Sequence, residues 1–229
     1  MKRITLFAGH YGSGKTNLAL NFALRLKRGN SAAAVTVADL DIVNPYFRTQ
    51  DSAAELSAAG VALVVSGFAN SNVDFPALPK EAYSLFAPRE TPWRGEDYVI
   101  VDVGGDDRGA LALGRYVDDI RASDYDMFGV VNFARPLTRT PEDAAAVLRE
   151  IEAACRLPFT GVVNNTNLGP DTSAADVLAS LAPARRVAEI LGVPLVGTAC
   201  AERLAPELEG KVAWLVPLEI QRLYYQLER

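Results

Sequence analysis

Residues 4–26, ITLFAGHYGSGKTNLALNFALRL, join a short, mostly apolar run to a glycine-rich turn and then to an amphipathic pattern. Within it, Gly9-His10-Tyr11-Gly12-Ser13-Gly14-Lys15-Thr16 satisfies G-x-x-x-x-G-K-[ST]. At background residue frequencies such a match arises by chance in about one chain in a hundred. Its place between a strand pattern and a helix pattern makes it far more specific. Glycines let the backbone curl so that successive N–H groups point at phosphate oxygens. The helix start adds the positive end of its dipole. On this reading Gly9, His10, Tyr11, Gly12, Ser13, Gly14, Lys15, Thr16 and Asn17 form a phosphate cradle. Lys15 is expected to be a solvated catalytic ligand of the β- and γ-phosphates, and the Thr16 hydroxyl a ligand of Mg²⁺.

Such a site needs acids near the metal. Residues 97–105, DYVIVDVGG, read as a hydrophobic strand ending in Asp102, followed by glycines. Asp102 is a candidate metal ligand, and Gly105 completes a D-x-x-G pattern whose amide can meet the γ-phosphate. Residues 38–48, ADLDIVNPYFR, carry Asp39 and Asp41 two apart on an extended segment, so both point the same way. Buried like charges so close are costly unless a cation or solvent compensates.

Short β-branched runs alternate with helical patterns along the whole chain. Strands are expected at 4–8, 34–38, 61–65, 98–102, 127–132, 161–164 and 195–198. Helices are expected at 16–27, 51–59, 109–122, 141–154 and 173–191. Thr140-Pro141-Glu142-Asp143 is a strong helix start, with an N-cap, a first-position proline and acids in the first turn. The alternation predicts an α/β fold with a doubly wound, mostly parallel sheet and helices on both faces. With 229 residues, one domain spanning 1–229 is expected. The proline- and asparagine-rich segment 67–94 reads as a long excursion near the sheet edge, either padding or a partner-binding insertion.

Together the loop GHYGSGKT, the D-x-D of ADLDIVNPYFR, the strand DYVIVDVGG and the later GVVNNTN resemble the ParA/MinD-type ATPases, over residues 1 to about 200. That superfamily also holds the nitrogenase iron protein and the dethiobiotin and cobyrinate synthetases. The resemblance implies ATP and Mg²⁺ as ligands, Asp39 near the metal, and Asp41 as the catalytic residue that positions the attacking water. It further implies that Asn164 pairs with adenine. A nucleotide-dependent homodimer and a protein partner of unstated kind come with the same resemblance.

Two departures matter. The family's loop reads K-G-G-x-G-K-[ST], and its first lysine reaches the partner chain's phosphates; here that position is His10, followed by Tyr11. The paired cysteines of the iron–sulfur members are missing. Cys155 and Cys200 form no C-x-x-C and read as small buried apolar residues.

Guanine is usually read by N-K-x-D, whose aspartate accepts from two guanine donors. Residues 164–167 are Asn-Asn-Thr-Asn, and an asparagine in fourth place offers one acceptor only, which favours ATP over GTP. Residues 198–202 are a weaker candidate for the far side of the base.

A net charge of −5 gives no basic field for nucleic acid. No run approaches the ~20 apolar residues of a membrane span, and a cytoplasmic location is expected. The C-terminal residues 217–229 place Ile220, Leu223, Tyr224 and Leu227 at helical spacing, with balanced charge, as a helix packed on the domain. Arg48, Arg108, Arg135 and Arg139 lie near strand ends, and none is singled out. Three functions remain open on the sequence: an ATP-driven switch or assembly ATPase, a ligase or kinase acting on a small carboxylate, and a nucleotide sensor with little turnover.

Overall fold

The computed structural model describes residues 2–40, 52–65, 80–105 and 113–221. Eight strands form one sheet: β1 (Ile4–Ala8), β2 (Ala34–Leu40), β3 (Val61–Val65), β4 (Asp97–Val103), β5 (Tyr125–Val131), β6 (Gly161–Asn164), β7 (Leu195–Ala201) and β8 (Leu215–Leu218). Their order is β3-β2-β4-β1-β5-β6-β7-β8, and every pairing is parallel. Parallel neighbours require crossovers, which the helices supply: α1 (Lys15–Gly29), α2 (Ala53–Ala58), α3 (Lys80–Phe86), α4 (Val117–Ala122), α5 (Pro141–Cys155), α6 (Ala174–Ala179), α7 (Leu181–Leu191) and α8 (Ala205–Leu208). The doubly wound α/β expectation holds.

The chain begins at the middle of the sheet. From β1 it runs outward to β2 and β3, returns to β4 beside β1, then crosses to β5 on β1's other flank. The direction of winding therefore reverses around β1, and in open α/β sheets ligands bind in the crevice at such a reversal.

Strand alternation sorts the core into two layers. Phe7, Val35, Val37, Ile100, Phe128, Val130 and Val163 pack with Leu18, Phe22 and other residues of α1. Ile4, Leu6, Val99, Val101, Met127, Val131 and Val162 face the opposite layer with Leu148 and Ile151 of α5 and Ala184 and Val187 of α7. Phe7 meets Phe22 edge-on at 5.3 Å between ring centres, which fixes α1 across β1.

Several elements differ from the sequence expectation. Residues 173–191 form two helices, because Pro183 has no N–H to continue the first and is tolerated only in the opening turn of the second. Ser180 assists the break by donating its hydroxyl to the Val177 carbonyl at 2.7 Å. β8 takes in Pro217 and Leu218, the first two residues of the expected terminal helix: Pro217 sits in the edge strand, where a missing N–H costs no ladder bond. Residues 222–229 lie outside the described part. Within the 67–94 excursion, α3 buries Phe86 against Tyr116, at 4.9 Å between rings, and 66–79 lie outside the described residues. Of the expected helix 109–122, residues from 113 onward form a short 3-10 turn (Leu113–Arg115) and then α4.

Candidate functional site: a phosphate loop on an uncapped helix

The helix starts differ in a way that matters. At α5, Thr140 accepts from the Asp143 amide; at the shorter α6, Ser173 and Asp176 form a reciprocal capping box. By contrast α1 starts from Gly14 in the left-handed region (φ 82°), with no side-chain cap and no acid in its first turn. A helix leaves its first N–H groups without intrahelical partners. At α1 no N-cap side chain takes them, as at α2, α4, α7 and α8, but here the N-cap is a left-handed glycine.

The loop before α1 is held from four sides. Ser13 N donates to the His10 carbonyl at 3.0 Å, closing a turn. Gly12, also left-handed (φ 78°), has its carbonyl bonded by Arg135 Nε at 2.9 Å. The next carbonyl, that of Ser13, accepts from Asn165 Nδ2 at 2.7 Å. A Cβ on Gly14 would fall 2.3 Å from that Asn165 nitrogen, and one on Gly9 would fall 2.4 Å from the Val130 carbonyl oxygen. Gly105, beyond β4, presses on the loop from the other flank: a Cβ there would lie 2.8 Å from Tyr11 N. These glycines are needed for close approach as much as for backbone freedom. Ser13 Oγ is buried and has no hydrogen-bond partner among the described residues.

Behind the loop lie the charged residues. Asp39 and Asp102 are register partners on β2 and β4, at the C-terminal end of the sheet. Alternation places both on the α1 face, since Val37 and Ile100, two residues earlier, pack against α1. Lys15, Thr16, Asn17, Asp39 and Asp102 are all buried. The expectation of a solvated Lys15 is therefore corrected: it is 3% exposed and engaged within the chain, as are Asp39 and Asp102. Burying charged groups such as these is costly unless each is engaged. Among the described residues no three His, Cys, Asp or Glu side chains gather as a ready-made metal cage. Asp41 lies outside the described residues.

Asn164 is bonded within the chain. Its side chain is fully buried and spent: Nδ2 donates to Ser180 Oγ at 2.7 Å, while Oδ1 accepts from Thr166 N at 3.2 Å and Thr166 Oγ1 at 2.8 Å. It faces the α7 layer, away from the loop, because it follows Val162 by two on the strand. Its neighbour Asn165 has the opposite parity and reaches the loop. Counting alternation from Val163 would have found this. Asn167 donates to the Asn165 carbonyl at 2.8 Å and accepts from Gly169 N at 3.3 Å. Asn132, at the end of β5, accepts from Ala134 N and Asn167 N and so joins the two loops that carry Arg135 and Asn165.

His10 Nδ1 lies 2.8 Å from the Tyr11 carbonyl, which can only accept, so Nδ1 carries the proton. In the neutral ring Nε2 is then an acceptor. Tyr11 is exposed, and so are Leu137 and Leu168. Thr198 is buried inside β7, while Glu202 is exposed at its end. Burial pushes the Cys155 thiol up to about 12 and that of Cys200 up to about 11, so both are inert apolar groups. No described helix is long and apolar enough to cross a membrane.

No protein-family model matches the sequence, and no curated protein matches it. Solved structures do match in fold. Chloroplast FtsY from Physcomitrella patens superposes with a TM-score of 0.55 and 14% identity, covering 86% of this chain and 58% of that one. The signal recognition particle 54 kDa protein from Aeropyrum pernix, in complex with GDP, gives 0.51 and 18%, covering 86% of this chain and 41% of that one. A nucleotide-binding protein from Archaeoglobus fulgidus, in complex with ADP, gives 0.52 and 13%, covering 90% and 84%. The chain thus spans less than two thirds of the FtsY and signal recognition particle proteins. At these identities the likeness is one of fold, and the fold is that of the P-loop nucleoside triphosphatases.

Proposed function

We propose that this chain binds Mg·ATP at residues 9–17 and hydrolyses it slowly, as a nucleotide-dependent switch of the ParA/MinD type. The observation that carries the reading is the uncapped start of α1, preceded by left-handed Gly12 and Gly14 and facing the register-paired Asp39 and Asp102. Backbone N–H groups at a helix start, the helix dipole and a lysine suit phosphate oxygens. The donor set also suits Mg²⁺: a threonine hydroxyl and carboxylates are hard oxygen ligands, and Mg²⁺ keeps its remaining positions for phosphate and water. Thr16, Asp39 and Asp102 would hold it, and it would neutralise phosphate charge. Lys15 would bind the phosphates from below the loop. Asp41 would orient the attacking water.

Gly105 supports the switch. Its backbone lies against Tyr11 and Gly9, so a change in the loop is felt at once at the end of β4. The His10 tautomer supports slow turnover. With Nδ1 engaged by the Tyr11 carbonyl, His10 has no flexible cation to offer charge growing on a phosphoryl group, as the lysine of the family's loop would. Replacing His10 with Lys should therefore raise the turnover rate.

For the base, ATP is preferred because Asn167 lacks the second acceptor that guanine's two donors would need, and its one oxygen already accepts from Gly169 N. ATP and GTP competing for the protein at equal concentration provide the test. ATP should win, and Asn167→Asp should narrow the gap. A wild-type preference for GTP would overturn the adenine assignment. Steady-state phosphate release from ATP alone should be slow yet measurable, and turnover that needs an added carboxylate metabolite would replace the switch with a ligase.

A further inference from the structure

Arg135 was one of four loop arginines with no assigned role, and its placement is specific. It follows β5, 123 residues from Gly12, yet its Nε donates to the Gly12 carbonyl at 2.9 Å. Its own backbone is fixed at both ends: Arg135 N donates to Asn132 O and Arg135 O accepts from Thr138 N, each at 3.2 Å. Thr138 Oγ1 also donates to Asn132 O at 2.7 Å, closing the turn that presents the arginine. The side chain is half-buried and lies along the loop, since a Cβ on Gly12 would stand 3.4 Å from Nε and 3.6 Å from Cδ.

The adjacent carbonyl, that of Ser13, is taken by Asn165. Two side chains from separate loops thus draw consecutive loop carbonyls to one side. In a trans peptide the C=O and the following N–H point in opposite directions. Holding the Ser13 carbonyl outward therefore aims the Gly14 N–H at the concave side, where a phosphate would sit. A loop containing two left-handed glycines has many other conformations open to it, and ordering it on binding would cost affinity.

From this we infer that Arg135 is a positioning residue, which together with Asn165 holds the phosphate loop in its cradle form before nucleotide arrives. It works through the Gly12 carbonyl and not as a cation on the γ-phosphate. The inference rests on the nucleotide-binding reading above and extends it to a residue outside the G-x-x-x-x-G-K-[ST] motif.

Side-chain chemistry provides a clean test. Glutamine places an N–H₂ group where arginine has Nε, with the same number of atoms from the backbone and without the charge. Methionine places a methyl group there, with neither donor nor charge. Full-length wild type, Arg135→Gln and Arg135→Met are titrated with Mg·ATP and with ADP by calorimetry, after circular dichroism confirms that each is folded. Arg135→Met should bind ATP and ADP equally more weakly, about tenfold, with kcat at saturating ATP kept. Arg135→Gln should recover most of the affinity for both. Asn165→Asp, which replaces a donor by an acceptor against the Ser13 carbonyl, should weaken both nucleotides in the same way. Wild-type affinity in Arg135→Met would overturn the inference. So would a loss confined to ATP and shared by Arg135→Gln, since that marks a γ-phosphate cation. Absence of binding by the wild type itself would instead defeat the nucleotide-binding reading.

Discussion

Gly9 is the residue at which loop geometry and fold stability are most tightly joined. It directly follows β1, whose last residue Ala8 is the register partner of Gly129 on β5. A Cβ added at Gly9 would stand 2.4 Å from the Val130 carbonyl oxygen and 3.0 Å from Ser13 Oγ. A carbon and a carbonyl oxygen meet comfortably at about 3.3 Å, so Gly9→Ala requires roughly 0.9 Å of separation at the central strand pair. The clashing atom is backbone and cannot rotate away. Overpacking of this kind costs about 1–3 kcal/mol, against a total stability of about 5–15 kcal/mol for a domain. A loss of about 2 kcal/mol lowers the melting temperature by roughly 4–8 °C in a chain of this length. The same displacement moves the loop against Ser13, so ATP affinity should fall at least about tenfold, or 1.4 kcal/mol. Gly29→Ala is the matched control: it ends α1 with nothing within 4 Å of the added atom. There the change should leave stability unaltered or raise it by up to about 1 kcal/mol. Urea denaturation and calorimetric titration of the two variants decide the matter. A Gly9→Ala protein that melts and binds like the wild type would refute the close-approach reasoning.

Arg3 is buried and ties β1 to the start of β4 and the end of α3, through Asp97 Oδ2 at 2.9 Å and the Leu85 carbonyl at 2.9 Å. Arg3→Met should cost about 1.5 kcal/mol in urea denaturation, because it removes a charge-assisted hydrogen bond to half-buried Asp97, which keeps Arg89 as a partner; a loss under about 0.5 kcal/mol would contradict the role. Asn164→Ala should destabilise by about 1–3 kcal/mol and leave the ATP-to-GTP preference unchanged, whereas an altered preference at full stability would return Asn164 to the base. For the thiols, burial raises the folded-state value above the ordinary 9.0, so their contribution is complete below pH 9 and is lost as pH rises toward about 11 for Cys200 and about 12 for Cys155. At pH 10 this amounts to about 1.4 kcal/mol per thiol, and a Cys155→Ala, Cys200→Ala double variant should show a flatter stability profile between pH 8 and 10. A profile just as steep would place the pH dependence elsewhere.

Much of the architecture was legible in the sequence because local pattern and tertiary role coincide. The strand at 4–8 and the helix opened by Thr140-Pro141 carry their own apolar runs and caps, and both stand where expected. β8 was not legible: four residues interrupted by Pro217 satisfy no strand rule, and only pairing with β7 makes them one. Ser180 and Pro183 together divide a pattern that reads as one helix. In the site, the motif residues gather at the start of α1 as their spacing implies. Arg135 and Asn165 were invisible because their partners lie 123 and 152 residues away, and no spacing rule connects a loop carbonyl to a side chain so distant. The intrachain bonds of Asn164 were not legible for a different reason: a motif position does not say which face of the strand it occupies. Lys15 was taken as solvated because lysine usually is, whereas here buried Asp39 and Asp102 share its end of the sheet.

The central claim is that the uncapped start of α1 is a nucleotide site whose lysine holds the phosphates. Calorimetric titration of Mg·ATP into the wild type and into Lys15→Ala, with circular dichroism to confirm that the variant is folded, tests it most directly. The wild type should show saturable binding of a single nucleotide per chain, weakened when EDTA removes Mg²⁺. In Lys15→Ala the loss of a charge-assisted contact should weaken binding at least about tenfold. A wild-type protein that takes up neither ATP nor GTP, or a folded Lys15→Ala variant that binds ATP as the wild type does, would contradict it.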